Sequence, residues 1–371
     1  MTAGGTRPVL LAGGGTAGHV LPALAVAQAL VARGHDPASV RFVGSRRGQE
    51  ARLVPEAGFA VTLLPGRGVE RRLSWRAAAS VIALAAATVV ATADMVRARP
   101  SVVLSVGGYA ALPCAVAALL LRVPLVVAEA NAVPGATNRL AARWARASAV
   151  AFERTGLPRE VVTGTPVRDD VLAASRDAEA RMKARAELGV QPGRRLVAVT
   201  GGSLGARRVN EAVFELVERW RDRDDLAVHH AVGARDWAAL AGRVPAPERL
   251  QYRAVEYEER VPALLSAADV WIGRAGGVTL AELTAVGVPS VLVPLPIAPH
   301  DHQAVGARRL AAAGACAVVP DAECTGARLA DELDALLRPP GALDAMGRAA
   351  AALGHRDAAE RIADLLEAHA A

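Results

Sequence analysis

The sequence predicts an α/β protein made of two consecutive Rossmann-like halves, each built on a parallel β-sheet. At 371 residues the chain is long for a single hydrophobic core, so two domains of ordinary size are the better expectation. A short apolar run, Val9 to Ala12, leads into a glycine-rich turn and then into a helical pattern from Pro22 to Arg33. The same order of strand, glycine turn and helix returns between Leu196 and Arg221. Two such halves facing each other across a cleft form a twin-domain α/β architecture.

The composition is typical of a folded globular protein. Hydrophobic residues make up 52% of the chain and charged residues 22%. The three cysteines, Cys114, Cys316 and Cys324, have no spacing that indicates a disulfide framework or a zinc site, which fits a reducing compartment. Residues 1–8 lack a charged segment followed by an apolar core, so the sequence predicts no secretory signal.

Positive charge is concentrated in the first half of the chain. Residues 1–165 hold 18 arginines, no lysine and 8 acidic residues, whereas residues 166–371 hold 25 basic and 29 acidic residues. Arginine-rich codon usage explains the choice of arginine over lysine but not this segregation. Aromatic residues are only 3% of the chain, and no nucleic-acid recognition motif is present. An anionic membrane surface is therefore a better partner for the basic half than nucleic acid.

Apolar runs that end in glycine or polar residues predict the strands of both sheets. We expect a first domain at residues 1–166, a second at 167–351, and a last helix, about 352–371, that packs back on the first domain. In the first half the predicted strands are Val9–Ala12, Val40–Val43, Ala60–Leu64, Val102–Val106, Leu125–Ala128, Ala149–Phe152 and Val161–Thr163. In the second half they are Leu196–Thr200, Val228–Val232, Gln251–Ala254, Val270–Gly273, Ser290–Val293 and Ala317–Val319.

The turn Gly13-Gly14-Gly15-Thr16-Ala17-Gly18 is the first candidate site. Glycines allow the backbone to bend sharply and to approach a ligand, and the N–H groups that begin the next helix attract phosphate or another anion. His19 follows at the exit of this loop, where an imidazole can face the bound group. The spacing also matches the dinucleotide motif G-x-G-x-x-G. However, the second strand runs into Gly44-Ser45-Arg46-Arg47 without the ribose-binding acid, which argues against NAD or FAD.

Three further glycine turns follow predicted strands, at the edge where parallel sheets bind ligands. They are Gly107-Gly108-Tyr109, Gly201-Gly202-Ser203 and Arg274-Ala275-Gly276-Gly277. Glu282 stands one turn into the helix after the last of them, where a carboxylate can accept both hydroxyls of a ribose. An acid favoured only by the helix dipole is the alternative. Four such loops suit a nucleotide diphosphate and a second phosphorylated substrate, with helix termini rather than a metal ion neutralising the diphosphate.

Residues 67–93 combine arginines with a long uncharged run. Arg71, Arg72 and Arg76 precede Ala77–Ala93, which carries no charge over 17 residues. A bilayer span needs about 20 strongly apolar residues, so a transmembrane helix is disfavoured. Two interpretations stay open. One is a helix buried against the sheet; the other is an interfacial helix whose apolar face, with Ile82, enters lipid while the arginines meet headgroups.

Seven segments occur in a specific order and spacing, and together they are far more specific than any one of them. They are Gly13 to His19, Gly107-Gly108-Tyr109, Glu129-Ala130-Asn131, Gly164-Thr165-Pro166-Val167-Arg168, Gly201-Gly202-Ser203, Arg274 to Glu282, and Asp301-His302-Gln303. This arrangement resembles the MurG family of peptidoglycan N-acetylglucosaminyltransferases, which have the GT-B fold. The resemblance covers nearly the whole chain.

The resemblance implies transfer of N-acetylglucosamine from UDP-GlcNAc to the C4 hydroxyl of the muramyl sugar of lipid I, undecaprenyl-diphospho-MurNAc-pentapeptide. The product would be lipid II, formed with inversion, in the peptidoglycan synthesis that supports cell shape and division. The resemblance also implies a peripheral enzyme on the cytoplasmic face of the cell membrane. UDP-GlcNAc is then a substrate, and no cofactor or metal ion is needed.

The resemblance assigns roles to individual positions. His19 is implied to be the general base, because an imidazole that titrates near neutral pH can take the acceptor proton; a histidine that only fixes the loop is the alternative. Donor contacts are implied at Thr16, Ala17, Gly18, Asn131, Arg168, Ser203, Tyr257, Glu258, Gly276, Gly277, Val278, Thr279, Leu280, Ala281, Glu282 and Gln303. Acceptor contacts are implied at Gly14, Gly15, Gly107, Gly108, Tyr109 and Glu129, and membrane contacts at Arg71, Arg72, Trp75, Arg76 and Ile82.

Three positions depart from the pattern common in this family. Ala128 stands where histidine is common, Leu204 where glutamine is frequent, and Gly306 where asparagine is common. Loss of polar groups from a sugar site weakens binding if a substrate group is left unpaired. A related enzyme with another acceptor is therefore one alternative. A UDP-GlcNAc 2-epimerase, which shares the twin-domain architecture, is another, although the basic and apolar segment at residues 67–93 argues against it.

Overall fold

Two parallel β-sheets, one in each half of the chain, organise the fold. The computed structural model describes residues 8–65, 75–202 and 204–371, without the side chains of residues 75–81. The chain divides into unit 1, which comprises residues up to Arg168 together with His355–Ala371, and unit 2, Asp169–Gly354. The predicted fold class, α/β with two Rossmann-like parallel sheets, is confirmed.

Unit 1 holds a seven-stranded parallel sheet. Its strands are β1 (Val9–Ala12), β2 (Val40–Ser45), β3 (Ala60–Leu64), β4 (Val102–Ser105), β5 (Leu125–Glu129), β6 (Ala147–Val150) and β7 (Glu160–Val162). The helices between them are α1 (Ala17–Ala32), α2 (Glu50–Glu56), α3 (Trp75–Ala98), α4 (Ala111–Leu121) and α5 (Ala136–Ala141). The strand order is β3-β2-β1-β4-β5-β6-β7, so the direction of connection reverses between β1 and β4. Open parallel sheets bind ligands beside such a reversal, at the carboxyl ends of the strands.

The alternation of side chains along β1 explains why unit 1 has a core on each face of its sheet. Val9 and Leu11 pack in the cluster that contains the buried face of α1. Leu10 and Ala12 point the other way and pack in the cluster that contains α3 and α4. Successive residues of a strand alternate between the two faces, and both faces here are covered by helices, so the whole strand is apolar.

Unit 2 repeats the architecture with a six-stranded parallel sheet in the order β10-β9-β8-β11-β12-β13. The direction reverses between β8 and β11, as it does between β1 and β4 in unit 1. The strands are β8 (Arg195–Thr200), β9 (Leu226–Ala231), β10 (Gln251–Val255), β11 (Val270–Gly273), β12 (Ser290–Leu292) and β13 (Ala317–Val318). The helices are α6 (Asp169–Leu172), α7 (Ala178–Leu188), α8 (Arg207–Arg219), α9 (Ala234–Leu240), α10 (Val261–Ala267), α11 (Gly277–Val286), α12 (His302–Ala312), α13 (Gly326–Leu337) and α14 (Ala342–Ala352).

The last helix, α15 (Ala358–His369), belongs to unit 1 although it follows all of unit 2 in the chain. Its residues Ile362 and Leu366 are buried in the cluster that contains Val26 and Leu30 of α1. At the end of α1, Arg33 contacts three carboxylates of α15, with nitrogen to oxygen distances of 2.6 to 3.0 Å. Unit 1 is thus completed by residues from both ends of the chain.

Helix α3 presents two different faces. Ala87, Ala91 and Met95 are buried in the core of unit 1, whereas Ile82 and Val89 are 71% and 69% exposed. Among the described residues, none of the helices combines the length and apolar character that crossing a bilayer requires. The predicted membrane residues Arg71 and Arg72 lie outside the described residues, as do the side chains of Trp75 and Arg76.

Candidate functional site

The two predicted glycine turns of unit 1 meet where its sheet reverses direction. The loop after β1 and the loop after β4 are adjacent, and the Gly14 N–H donates to the Gly107 carbonyl at 3.2 Å. Gly108 has a φ of +83°, and a Cβ at this position would lie 2.1 Å from the Gly14 carbonyl oxygen. Only glycine allows this approach without a shift. The structure therefore brings the predicted residues Gly14, Gly15, Gly107 and Gly108 together.

Glu50, the first residue of α2, supports the first loop and was not predicted from the sequence. Its carboxylate is 1% exposed and accepts the N–H of Gly15 at 2.8 Å and the N–H of Ser45 at 2.5 Å. Glu50 follows Arg47 by three residues, so an acid is visible near the end of the second strand, but its contact with Gly15 is not readable from the sequence. Both carboxylate oxygens are occupied by backbone N–H groups, which leaves Glu50 unsuited to bind the diol of a dinucleotide ribose.

His19 lies on the first turn of α1 and is partly buried. Its Nδ1 is 3.2 Å from the hydroxyl of Thr16, and its opposite edge faces Gly107, where a Cβ would be 3.4 Å from Nε2. A pocket beside the ring is lined on its polar side by Glu129 and Thr165 and otherwise mainly by apolar side chains. Within the described part of the chain, the buried hydroxyl of Thr165 has no hydrogen-bond partner. An imidazole that lines a pocket and whose Nδ1 is held by Thr16 can exchange a proton with a group bound there.

Glu129 and Asn131, both predicted contacts, hold the loop after β5. The carboxylate of Glu129 is 5% exposed and accepts the backbone and side-chain N–H groups of Asn131 at 3.0 and 2.8 Å. It also accepts the Gly135 N–H at 2.9 Å and the side-chain amide of Asn138 at 3.0 Å. Buried Asn138, which sequence reasoning did not identify, also accepts from Ser105 of β4. Both carboxylate oxygens of Glu129 therefore accept hydrogen bonds from its own loop and from Asn138. A role in binding the acceptor stays a prediction.

Tyr109 and Arg168 are the other predicted contacts of unit 1. The Tyr109 hydroxyl lies 3.0 Å from the carbonyl of Pro65, just beyond β3, and burial raises the pKa of the phenol. This contact ties the loop after β4 to the segment that leads towards α3. Arg168 is partly buried and is the last residue of the first stretch of unit 1.

Unit 2 places its predicted glycine turns at the corresponding reversal, after β8 and β11. Gly276 is the N-cap of α11, and the predicted residues Gly277 to Ala281 are the first five of this helix. Leu280 is 3% exposed, so its side chain belongs to the core and only its backbone could meet a ligand. Glu282 follows on the same helix and is partly exposed. Ser203 lies outside the described residues.

Arg274 fixes the loop that precedes α11, a role that sequence reasoning did not identify. Its guanidinium donates to the Val293 carbonyl at 3.1 Å and to the Asp321 carboxylate at 2.6 Å. Gln303, a predicted sugar contact near the start of α12, accepts the Leu295 N–H at 2.9 Å. Arg274 thus joins the loop after β11 to the end of β12, whereas Gln303 holds the segment between β12 and α12.

Tyr257 and Glu258, predicted to meet uracil through their backbone, have different surroundings. Tyr257 is 57% exposed, whereas Glu258 is buried. The Glu258 carboxylate lies 2.7 Å from Nε2 of His229 on β9, outside hydrogen-bond geometry, and accepts from Arg260 at 3.0 Å. Burial acts to raise the pKa of Glu258, but the hydrogen bonds from Arg260 hold it below its usual value. This internal pairing leaves the backbone of the segment as the part that can bind a base.

The three departures from the family pattern have distinct places. Ala128 lines the pocket beside His19, and Gly306 is buried within α12. Leu204 is 60% exposed in the loop after β8. Among the residues that the structure describes, no group of three histidine, cysteine, aspartate or glutamate side chains is arranged to hold a metal ion.

Comparison with known proteins adds independent information. Residues 9–150 match the glycosyltransferase family 28 N-terminal domain, and residues 196–362 match the C-terminal domain of the same family. The UDP-N-acetylglucosamine–N-acetylmuramyl-(pentapeptide) pyrophosphoryl-undecaprenol N-acetylglucosamine transferase of Clavibacter sepedonicus is 42% identical over 359 residues, which cover 96% of this chain and 95% of that protein.

Solved structures show the same similarity. The crystal structure of MurG from Acinetobacter baumannii has a TM-score of 0.76 at 28% identity and covers 98% of this chain and 99% of that one. The UDP-GlcNAc 2-epimerase from Neisseria meningitidis, crystallised with UDP-GlcNAc, has a TM-score of 0.67 at 13% identity, over 97% of this chain and 100% of that one. At such low identity the likeness to the epimerase concerns the fold alone.

Proposed function

Because the chain belongs to the MurG family of N-acetylglucosaminyltransferases, within glycosyltransferase family 28, we propose that it transfers GlcNAc from UDP-GlcNAc to the C4 hydroxyl of lipid I. The product is lipid II, an intermediate of peptidoglycan synthesis. The observation that carries this proposal is the similarity to named transferases along nearly the whole chain. The epimerase alternative has only a shared fold in its favour.

The donor half of the reaction is assigned to unit 2. The N-terminus of α11, with Gly276 as N-cap, offers backbone N–H groups and a positive dipole end to the diphosphate of UDP-GlcNAc. Glu282 on the same helix accepts the ribose hydroxyls, and the backbone beside Tyr257 and Glu258 receives uracil. Gln303 contacts the sugar. The leaving diphosphate is stabilised by these helix-terminal groups, and the mechanism needs no cofactor.

The acceptor half is assigned to unit 1, where His19 acts as general base. As the acceptor C4 oxygen attacks C1 of GlcNAc, its proton passes to Nε2 of His19, the edge that faces Gly107. The bond between C1 and the diphosphate oxygen breaks on the opposite side, so the configuration at C1 inverts and UDP leaves with the electron pair. The contact between Nδ1 and Thr16 orients the ring for this transfer.

Unit 1 is also assigned the contact with the membrane that carries the lipid acceptor. Ile82 and Val89 of α3 are exposed, as are Leu119 and Leu120 of α4, the helix that packs beside it. Exposed Arg122 follows α4. Apolar side chains bordered by arginine suit an anionic bilayer surface. We place the enzyme peripherally on the cytoplasmic face, with no nucleic acid partner.

The test combines purified protein with radiolabelled UDP-GlcNAc and a short-chain lipid I analogue. Label is expected in the lipid product, and His19→Ala is expected to lower the rate by about 100-fold to 10,000-fold. The matched control His369→Ala, at the end of α15, should keep wild-type activity. Label that stays out of the lipid, or turnover of UDP-GlcNAc that needs no acceptor, would contradict the proposed function.

A further inference from the structure

The carboxylate of Glu50 occupies a site that is shaped around it. It is 1% exposed, and its two oxygens accept the N–H groups of Gly15 and Ser45. Cβ atoms at Gly14 and Gly44 would lie 2.5 and 2.1 Å from Glu50 side-chain carbons, and one at Gly48 would lie 2.1 Å from Oε2. Three positions without side chains therefore make room for this one group.

The backbone of the first glycine loop explains why this matters for ligand binding. The Gly13 N–H donates to the Val43 carbonyl at 3.1 Å and the Gly14 N–H to the Gly107 carbonyl at 3.2 Å. Glu50 takes the third, from Gly15. Among the described residues, no acceptor meets the next three N–H groups, those of Thr16, Ala17 and Gly18. The open N–H groups are therefore the three at the start of α1, immediately before His19.

We propose that Glu50 is a positioning residue that holds the Gly13–Gly18 loop so that the N–H groups of residues 16–18 receive the diphosphate of the lipid-linked acceptor. The family resemblance implied donor contacts at Thr16, Ala17 and Gly18; we assign their N–H groups to the acceptor instead, because those of Gly14 and Gly15 are already paired within the protein. This inference rests on the proposed function. Because the carboxylate already accepts the Gly15 N–H, the diphosphate binds to the N–H groups that follow, in the turn that carries His19. The same contact joins the loop to Ser45 at the end of β2, which fixes its position over the sheet.

The first test is Glu50→Gln, which keeps the size of the side chain and places an amide where two N–H groups need acceptors. The amide NH₂ cannot accept, so the N–H of Gly15 or of Ser45 loses its partner and the loop shifts. We therefore expect kcat/KM for the lipid acceptor to fall by about tenfold to a hundredfold. The Kd and the number of sites for UDP, assigned to unit 2, are expected to stay unchanged by calorimetry. Glu56→Gln is the matched control, since Glu56 lies on the same helix and is exposed.

A second variant displaces the Glu50 carboxylate without changing Glu50 itself. Gly48 does not have a positive φ, so Gly48→Ala adds only a methyl group, which would push Oε2 from its place. We expect it to lower kcat/KM for the acceptor as Glu50→Gln does, again with UDP binding intact. Wild-type kcat/KM in Glu50→Gln would overturn the proposal. A loss of UDP sites in proportion to activity would also overturn it, because Glu50 would then only stabilise the fold. Failure of the proposed function would instead appear in the wild-type protein, as absence of lipid product.

Discussion

At the level of single residues, the hydroxyl of Thr16 contacts the His19 ring and helps to orient it. Its oxygen is 3.2 Å from Nδ1. Thr16→Val removes the hydroxyl but keeps the shape, so kcat is expected to fall about tenfold, less than in His19→Ala. Thr16→Ser restores the hydroxyl and should restore most of the rate. The two variants are compared in the lipid-product assay, and equal rates for both would show that the hydroxyl has no role.

His230 of β9 makes the stability of unit 2 depend on pH. The ring is fully buried between the Tyr252 hydroxyl and the Asn210 side chain, and burial lowers its pKa from 6.5 to about 3. Below about pH 6.5 this histidine is therefore protonated in the unfolded chain but stays neutral in the folded one. The contribution of this group to stability is fully present above pH 6.5 and is lost as the pH falls towards 3, by about 1 kcal/mol per pH unit.

Neighbouring His229 acts in the same direction, because burial also lowers its pKa although Glu258 opposes the shift. Urea unfolding of the wild type should consequently show lower stability at pH 5 than at pH 7. In His230→Gln the difference between the two pH values should shrink but persist through His229. An unchanged difference in this variant would contradict the assignment to His230.

Residues whose role depends on distant partners could not be predicted from the sequence. Glu50 and Gly15 are 35 positions apart, and only the placement of α2 over the end of β2 brings them together. His229 and Glu258 likewise meet because β9 and β10 are neighbours in the sheet. By contrast, the glycine turns and His19 were identifiable, because the local order of strand, glycine and helix is itself the signal.

At the level of elements, all thirteen predicted strands are present in the two sheets, with ends that differ by at most two residues. Buried parallel strands read as short apolar runs with glycine or polar ends, which makes them recognisable. Helix ends were less predictable. The first helix was expected from Pro22, but α1 begins at Ala17 and includes the end of the glycine loop. Pro22 is its sixth residue, and the sequence misled here because a proline beyond the first turn removes a helix hydrogen bond and usually marks a boundary.

The contact between the two glycine turns of unit 1 is expected to be intolerant of side chains. Gly34→Ala serves as the control, because Gly34 has a φ of +98° with nothing within 4 Å of a Cβ. It should lower the free energy of unfolding by about 1 to 2 kcal/mol, the cost of the left-handed conformation alone. Gly108→Ala has the same conformational cost and also meets the Gly14 carbonyl, which adds about 1 to 3 kcal/mol. Urea unfolding measures both, and equal losses would show that the loops can separate freely.

The exposed apolar faces of α3 and α4 predict binding to anionic vesicles. Replacing Ile82, Val89 and Leu120 together by serine should weaken binding strongly, since each buried CH₂ contributes about 0.8 kcal/mol. Ile297→Ser is the control, because Ile297 is 83% exposed but belongs to unit 2. Sedimentation with vesicles rich in phosphatidylglycerol measures the partitioning. Wild-type binding that neither responds to the triple variant nor weakens with salt would exclude this surface.

At the level of the whole molecule, unit 1 depends on a helix from the far end of the chain. Two kinds of contact attach α15 to α1. Arg33 pairs with Glu360, Asp364 and Glu367, whose side chains are 39 to 65% exposed. Ile362 and Leu366, in contrast, are fully buried among the apolar side chains of α1 and the sheet. Exposed ion pairs contribute about 0 to 1 kcal/mol each, whereas truncating a buried leucine costs about 2 to 5 kcal/mol.

Apolar burial should therefore hold α15 in place, with the arginine fixing its register. Leu366→Ala is expected to destabilise unit 1 by about 2 to 5 kcal/mol, and Arg33→Met by about 1 kcal/mol or less, because methionine keeps most of the apolar stem. Hydrogen exchange distinguishes the units: protection should fall in β1 and β4 but not in β8 and β11. If Arg33→Met lowered the hydrogen-exchange protection of unit 1 as much as Leu366→Ala, the ion pairs with the three carboxylates would be the main attachment. Helix α15 would then detach at high salt. If protection fell equally in β8 and β11, the two units would unfold as one, and α15 would stabilise unit 2 as well as unit 1.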